Sequence, residues 1–485
     1  MPSGKERPNE TQLQAFPDPT RWDMIPPLQR VPRRIFIDAS YTLTSGRNTG
    51  VERVVRNLVE HSQAIGRQGE IPIPGIAFQY RDRFYQLNEG AIGRLKRAAR
   101  FQSNAVAALP AIYRRSAESL CRTIPSRRLR KWFLPAAGRL GIFSIWHLWN
   151  QFRNFRWIGA NCTPIEFSSG DLLVLPDAYW TSRLLTSTWQ AAAVARSSGA
   201  TVVGLIYDLI PLLYPQFVGP RGNQKFRQYL TGAVATCDRL VCISRTVSDE
   251  LQAFLPRLEV DPQRWPNITH FQLGAELRPQ SGRVREFVRS TMLAAPPAFL
   301  KVATLDPRKN HHFVLDAFDR LWRSGSAQRL VLAGRIGTSC MDVVQRVRQH
   351  PKFNSQLFLF NDLSDAEIQF CYEHCRGVIF ASITEGFGLP IVESLWHSKP
   401  TLASDIPIHR EVGGGACRYF PLTDPQRLVE EVQRLAESPQ ATTWDGSGDA
   451  HQRPIDWETS CRQFLQRALE AYRSRPTDRA LHPAA

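Results

Sequence analysis

Residues 384–394 read Thr-Glu-Gly-Phe-Gly-Leu-Pro-Ile-Val-Glu-Ser, and they follow the apolar run Gly377-Val-Ile-Phe-Ala-Ser382. The run reads as a buried strand, and Pro390 suits the first position of a helix, where its missing N–H costs nothing. Gly386 and Gly388 let the backbone turn tightly and come close to a ligand. The predicted order is therefore strand, turn, helix. The N–H groups of Gly386, Phe387, Gly388 and Leu389, with the positive end of the helix, then form an anion site. Glu385 falls before the turn, and Glu393, eight positions on, is expected in the first turn of the helix. Helix-dipole compensation and capping would also account for two glutamates placed this way. No Gly-Lys-Ser/Thr follows, which excludes a P-loop.

The same alternation runs outward in both directions. Toward the C-terminus, apolar runs at 299–305, 328–334, 356–360, 377–382 and 400–404 alternate with helix-period segments at 311–322, 341–350, 365–375, 391–396 and 426–438. Toward the N-terminus, runs at 33–40, 171–177, 201–208 and 239–244 alternate with helical patterns at 51–61, 184–198 and 246–255. Strands that are continuously apolar and alternate with helices indicate parallel sheets covered on both faces. The polar stretch Asp261-Pro-Gln-Arg-Trp-Pro-Asn267 reads as a linker. The fold class expected is α/β, with two doubly wound Rossmann-like domains facing a central cleft, where ligands bind beyond the carboxyl ends of strands. The expected divisions are a flexible segment 1–32, a first domain 33–265, a second domain 266–455, a helix 456–475 crossing back, and a disordered tail 476–485.

At 485 residues the chain is long enough for two such domains, and 43% hydrophobic with 22% charged residues is the composition of a soluble globular protein. The net charge of +17 points to an anionic partner or environment. Nine cysteines without a Cys-x-x-Cys pair fit a reduced, cytoplasmic chain. The first thirty residues lack an apolar signal core, and no run is long and apolar enough to span a membrane. Residues 91–160 stand apart, with Glu118 as their only acid among cations that include Arg127, Arg128, Arg130 and Lys131. Trp132, Trp146, Trp149 and Trp157 follow. Such a mixture suits contact with an anionic membrane surface, and it equally suits an insertion packed on the first domain.

A second constellation turns the glutamates toward function. Arg308 and Lys309, in Leu305-Asp-Pro-Arg-Lys-Asn310, put two cations after the first strand of the second domain. Paired cations stabilise a leaving diphosphate, and the two carboxylates would hold sugar and ribose hydroxyls on either side of it. Here the sequence resembles the retaining glycosyltransferases of family 4, which have the GT-B fold. The resemblance rests on TEGFGLPIVES (384–394), ATLDPRKNHH (303–312), LVLAGRIG (330–337) and CDRLVCISRTVSDEL (237–251). It covers most of the chain and is most specific in the C-terminal motifs. It implies that Arg308 and Lys309 bind the diphosphate, that Glu385 contacts the donor sugar and that Glu393 binds the ribose. It also implies backbone contacts to the phosphates from Gly386, Phe387, Gly388 and Leu389.

On the acceptor side, the loop ending at Gly50 resembles the family's glycine-bearing loop near the diphosphate. Tyr207 and Asp208 end a strand where many relatives have His-Asp, so the substitution at Tyr207 departs from the pattern. Asp177, at another strand end, is a further candidate for a polar site residue. No Asp-x-Asp metal motif is present, so no metal or other cofactor is expected beyond the nucleotide-diphosphate sugar itself. The activity implied is transfer of a mannose-like hexose to a polysaccharide or lipid-linked saccharide, by a cytoplasmic enzyme peripheral to the inner face of the membrane. The alternatives are a nucleotide-sugar epimerase of the same fold, a non-catalytic binding relative, and a basic nucleic-acid-binding protein. No helix-turn-helix, RNP or zinc pattern supports the last, so no nucleic-acid partner is expected.

Overall fold

The apolar runs form two separate sheets in the computed structural model, which describes residues 31–45, 50–88, 161–181, 184–277, 282–337, 339–437 and 454–474. The insertion at 91–160, residues 1–30 and the expected tail lie outside the described residues. The chain divides into two compact units, one of Gln29–Phe271 with Phe464–Ala485, the other built on Gln272–Gln463.

Among the described residues the first unit holds eight strands: β1 (Arg34–Asp38), β2 (Gly75–Tyr80), β3 (Arg83–Leu87), β4 (Cys162–Pro164), β5 (Asp171–Leu175), β6 (Thr201–Ile206), β7 (Arg239–Cys242) and β8 (Asn267–His270). Their order is β4-β3-β2-β1-β5-β6-β7-β8. Among the described strands β3 alone runs against the others, so its pairings with β2 and β4 are antiparallel and the remaining pairings are parallel. Every residue of β5 and β6 is buried, as helices on both faces require. Two features differ from the sequence expectation. Strands β2 and β3 join through Arg81, whose φ of 56° makes a tight turn that nothing in its side chain announces. Strand β8 lies in the segment expected to be linker and the start of the second domain. It is a polar edge strand paired with β7, so the boundary falls at 271/272 and not at 265/266. An edge strand needs little apolar content, which is why its pattern was weak.

The second unit holds β9 (Phe299–Val302), β10 (Leu330–Ala333), β11 (Leu357–Phe360), β12 (Gly377–Phe380), β13 (Thr401–Ser404) and β14 (Cys417–Phe420). All are parallel, in the order β11-β10-β9-β12-β13-β14. The order reverses between β9 and β12, and a doubly wound sheet opens its ligand crevice at that reversal. The loops leaving these two strands carry the two constellations of the sequence.

The final helix is Trp457–Ser474. Its residues through Gln463 group with the second unit and those from Phe464 with the first. Trp457 is fully buried, donates Nε1–H to the Glu276 carbonyl at 3.1 Å, and lies so close to Gly274 that a Cβ there would sit 2.8 Å from its Cα. Within the first unit, Arg239 Nη1 donates to Glu470 Oε2 at 2.9 Å and to the Arg467 carbonyl at 3.0 Å.

The chain leaving β9 is stitched to the chain leaving β10. Ala303 N donates to Ala333 O at 2.9 Å, Leu305 N to Arg335 O at 2.8 Å, and Gly337 N to Leu305 O at 3.1 Å. Gly334 permits this approach, because a Cβ there would stand 1.9 Å from the Ala303 carbonyl oxygen. Gly334→Ala should therefore cost about 2 kcal/mol or more, since backbone must shift to admit the methyl. Thermal unfolding checks this, and an unchanged melting temperature would show that the loop is not held there.

Candidate functional site

The loop after β9 is built to present cations. The Asp306 side chain accepts from Arg308 N at 3.0 Å and caps a single 3-10 turn, Pro307–Lys309. Asn310 then takes the left-handed conformation (φ 54°, ψ 52°), which Asn tolerates better than most residues, and the helix His311–Arg323 starts. The loop after β12 is bound to this turn. Ile383 N donates to Arg308 O at 2.9 Å, and Arg308 Nη1 donates to Thr384 O at 3.0 Å.

Glu385 sits where the loops meet and takes both cations. Its Oε2 accepts from Arg308 Nη1 at 2.5 Å, and its Oε1 accepts from the Lys309 ammonium. The glutamate side chain is 8% exposed, against 21% for Arg308 and 14% for Lys309. Burial pushes the Glu385 carboxyl up, but the charges of Arg308 and Lys309 outweigh it and hold it below the usual carboxylate range. Burial lowers Lys309, and Glu385 opposes that shift. The sequence expectation gave the cations and the glutamate separate duties, whereas the structure joins them in one ion cluster.

Gly388 adopts φ 106° and begins the helix Leu389–Trp396, with Pro390 in its second position. Of the four residues expected to form an anion cradle, Leu389 opens the helix, Gly388 is its N-cap, and Gly386 and Phe387 precede it. Glu393 lies in the second turn of this helix, not the first, because the helix starts at Leu389. It is 4% exposed and its Oε2 accepts from Tyr372 Oη at 2.7 Å. Tyr372 stacks on His397 with ring centroids 5.5 Å apart. Sequence reasoning missed Tyr372, since a tyrosine on an amphipathic segment reads as core.

The donor-side candidate Gly50 and the acceptor-side candidates Asp177, Tyr207 and Asp208 all lie in the first unit. Gly50 is exposed and opens the helix Gly50–Arg67, while 46–49 lie outside the described residues. Asp177 is fully buried and corrects the expectation of a ligand-facing group. It accepts from Tyr41 N and Thr42 N, both at 2.8 Å, and from Thr42 Oγ1 at 2.9 Å, capping the helix Ser40–Ser45. Tyr207 is likewise committed, donating to the Pro176 carbonyl at 2.6 Å, and burial raises its hydroxyl well above its ordinary value. Asp208 is partly exposed and accepts from Ile210 N at 3.0 Å.

Asp38 was not foreseen from the sequence. It ends β1, accepts from Ser40 Oγ at 2.5 Å and from the Tyr179 hydroxyl, and lies beside Asp177. Burial first, then the Asp177 charge, push it up to about 7.

Among the described residues no group of His, Cys, Asp and Glu is arranged to hold a metal, and no helix is long and apolar enough to cross a membrane. The eight cysteines there are buried thiols.

Residues 286–443, which include both loops, match the family model described as "Glycosyl transferases group 1". The match falls within the second unit. The chain is similar to the "Serotype-specific mannosyltransferase WbdA" of Escherichia coli, 30% identical over 277 residues, or 56% of this chain and 34% of WbdA. It thus spans about one third of that relative's length. It is also similar to the "O-antigen chain mannosyltransferase RfbU" of Salmonella typhimurium, 24% identical over 263 residues, or 53% of this chain and 66% of RfbU. A solved structure, Anabaena Alr3699/HepE in complex with UDP and glucose, aligns with a TM-score of 0.53 at 14% identity, covering 90% of this chain and 99% of that one. That likeness establishes the fold, GT-B, as the sequence resemblance implied.

The second unit keeps a charged cluster under little solvent, and that has a measurable consequence. Glu385→Gln leaves two mostly buried cations uncompensated and should destabilise the protein by about 2–3 kcal/mol. The folded pKa of Glu385 is depressed, so its contribution is present above the unfolded carboxylate pKa and is lost only as pH falls through the folded value. The gap in denaturation midpoint between wild type and variant should hold from pH 5 to 8 and narrow only in strong acid. A gap that closes already between pH 7 and 5 would contradict the ion cluster.

Proposed function

We propose that the protein is a retaining glycosyltransferase that moves a mannose-like hexose from a nucleotide-diphosphate sugar to a polysaccharide or lipid-linked saccharide. The observation that carries this reading is the meeting of Arg308, Lys309 and Glu385 where the sheet order reverses in the second unit. The mannosyltransferase relatives support the sugar, and two of them are named for serotype or O-antigen chain, which supports a saccharide acceptor.

The reaction needs a diphosphate to leave with the negative charge it accumulates. Arg308 and Lys309 turn from Glu385 to the phosphates, and the backbone N–H groups at Gly386–Leu389 bind the same oxygens at the positive end of the helix. Once turned on donor binding, these donors are held in place through the transfer itself, so they stabilise the departing charge with little further reorganisation. Glu385, released from its cations, accepts hydroxyls of the donor sugar. Glu393, oriented by Tyr372, accepts those of the ribose. Cationic side chains neutralise the diphosphate in this scheme, and no metal is required. The net charge of +17 and the basic, tryptophan-bearing residues 91–160 support work at an anionic surface on the cytoplasmic side, where lipid-linked acceptors would be met.

The deciding experiment offers purified protein a panel of nucleotide sugars, scores protection against thermal unfolding, and then supplies acceptor and reads the anomeric configuration of the product by NMR. Retained configuration without added metal supports the proposal, and inversion or a strict metal requirement overturns it. Lys309→Ala should lower turnover by about a hundredfold or more, as loss of one preorganised donor does. Glu385→Gln should act mainly on kcat, and Glu393→Gln mainly on donor KM, because a ribose contact is the same in ground and transition states. Identical kinetic defects in the two glutamine variants would refute the division of roles.

A further inference from the structure

Lys301 stands in β9 with its side chain fully buried, and its Nζ has no hydrogen-bond partner among the described residues. Two-residue periodicity puts it on the same face of the sheet as Phe299, beneath the loop that carries Arg308 and Lys309. Its cross-strand neighbour on β10 is Leu332, which offers no counter-charge. An ammonium so placed would lack both water and a partner, at a cost no stable site sustains.

We propose that Lys301 is a neutral amine in the resting site and takes up a proton when a nucleotide-diphosphate sugar draws Arg308 and Lys309 away from Glu385. The proposal rests on the donor-site reading above, and it makes Lys301 a positioning residue that never touches substrate.

The groups that face the amine settle the sign. The chain after β9 brings Lys309 and the loop after β12 brings Glu385. The helix His311–Arg323 brings His311, and the helix Pro407–Gly413 brings His409. Burial, then the Lys309 charge, lower Lys301 to about 7, with Glu385 opposing. Burial holds His311 well below its ordinary range and His409 at about 4, so neither imidazole is poised to take the proton. A bound diphosphate adds negative charge to this neighbourhood and raises the amine's pKa. The proton comes from solvent, and the resulting ammonium supplies the counter-charge that the buried Glu385 loses to the phosphates. Donor affinity then falls as pH rises, by up to about tenfold per pH unit for one proton taken up.

Isothermal titration calorimetry tests this with GDP-mannose and UDP-glucose at pH 8, each in Hepes and in Tris. The diphosphate of a nucleotide sugar is a diester that does not titrate between pH 7 and 9, so any proton exchanged belongs to the protein. The expected result for wild type is uptake of about half a proton or more per donor bound. Lys301→Met, confirmed folded by circular dichroism, should bind without uptake and lose the fall in affinity between pH 7 and 9. Binding to wild type without proton uptake overturns the inference and leaves the donor site standing. Uptake that persists in Lys301→Met places the proton elsewhere and overturns it as well. Failure of both nucleotide sugars to bind removes the donor-site reading and this inference together.

Discussion

The ion cluster of Glu385 with Arg308 and Lys309 is the constraint on which the site depends. A carboxylate and two cations are held mostly out of water, and each is tolerable only because the others are there. Much of the local backbone exists to keep them together. Asp306 caps the cationic turn, Ile383 and Thr384 bond to Arg308, and Gly334 lets the chain after β10 run against the chain after β9. None of these bonds is strong alone. Together they fix two loops, 77 residues apart in sequence at Arg308 and Glu385, to within hydrogen-bond reach.

That arrangement follows from topology before it follows from side chains. In a sheet ordered β11-β10-β9-β12-β13-β14, the chains leaving β9 and β12 turn to opposite faces and leave a crevice at their carboxyl ends. Any polar residues placed just after those strands are brought together. The sequence puts Arg308 and Lys309 after one and Glu385 after the other, so the ion cluster forms without a long-range fit being designed residue by residue.

This explains what could be read in advance. The parallel sheets, the helix after Gly388 and the convergence of Arg308, Lys309 and Glu385 were legible because apolar strand runs and turn chemistry are local signals. The helix start was misjudged by one residue, which moved Glu393 from the first turn to the second. Strand β8 was missed because an edge strand carries little apolar content, and the turn at Arg81 because its positive φ has no side-chain signature. Lys301 and Asp38 were illegible for a different reason. One charged residue inside an apolar strand, or one at its end, becomes meaningful only when the neighbours that desolvate it are known. Asp177 and Tyr207 show the reverse case, since these strand-end polar side chains are taken up by the backbone of neighbouring loops.

The two sheets also place opposite charge at equivalent positions. In the first unit the order reverses between β1 and β5, and there Asp38 and Asp177 approach each other with hydroxyls and backbone N–H groups as partners. Burial and mutual repulsion push Asp38 up to about 7, so this position disfavours any further negative charge. At the reversal in the second unit, Arg308 and Lys309 meet Glu385, which stays ionised, with Asp306 4.0 Å from Arg308. A diphosphate would be repelled at the first position and attracted at the second. The asymmetry suits the second unit, rather than the first, to an anionic group on electrostatic grounds.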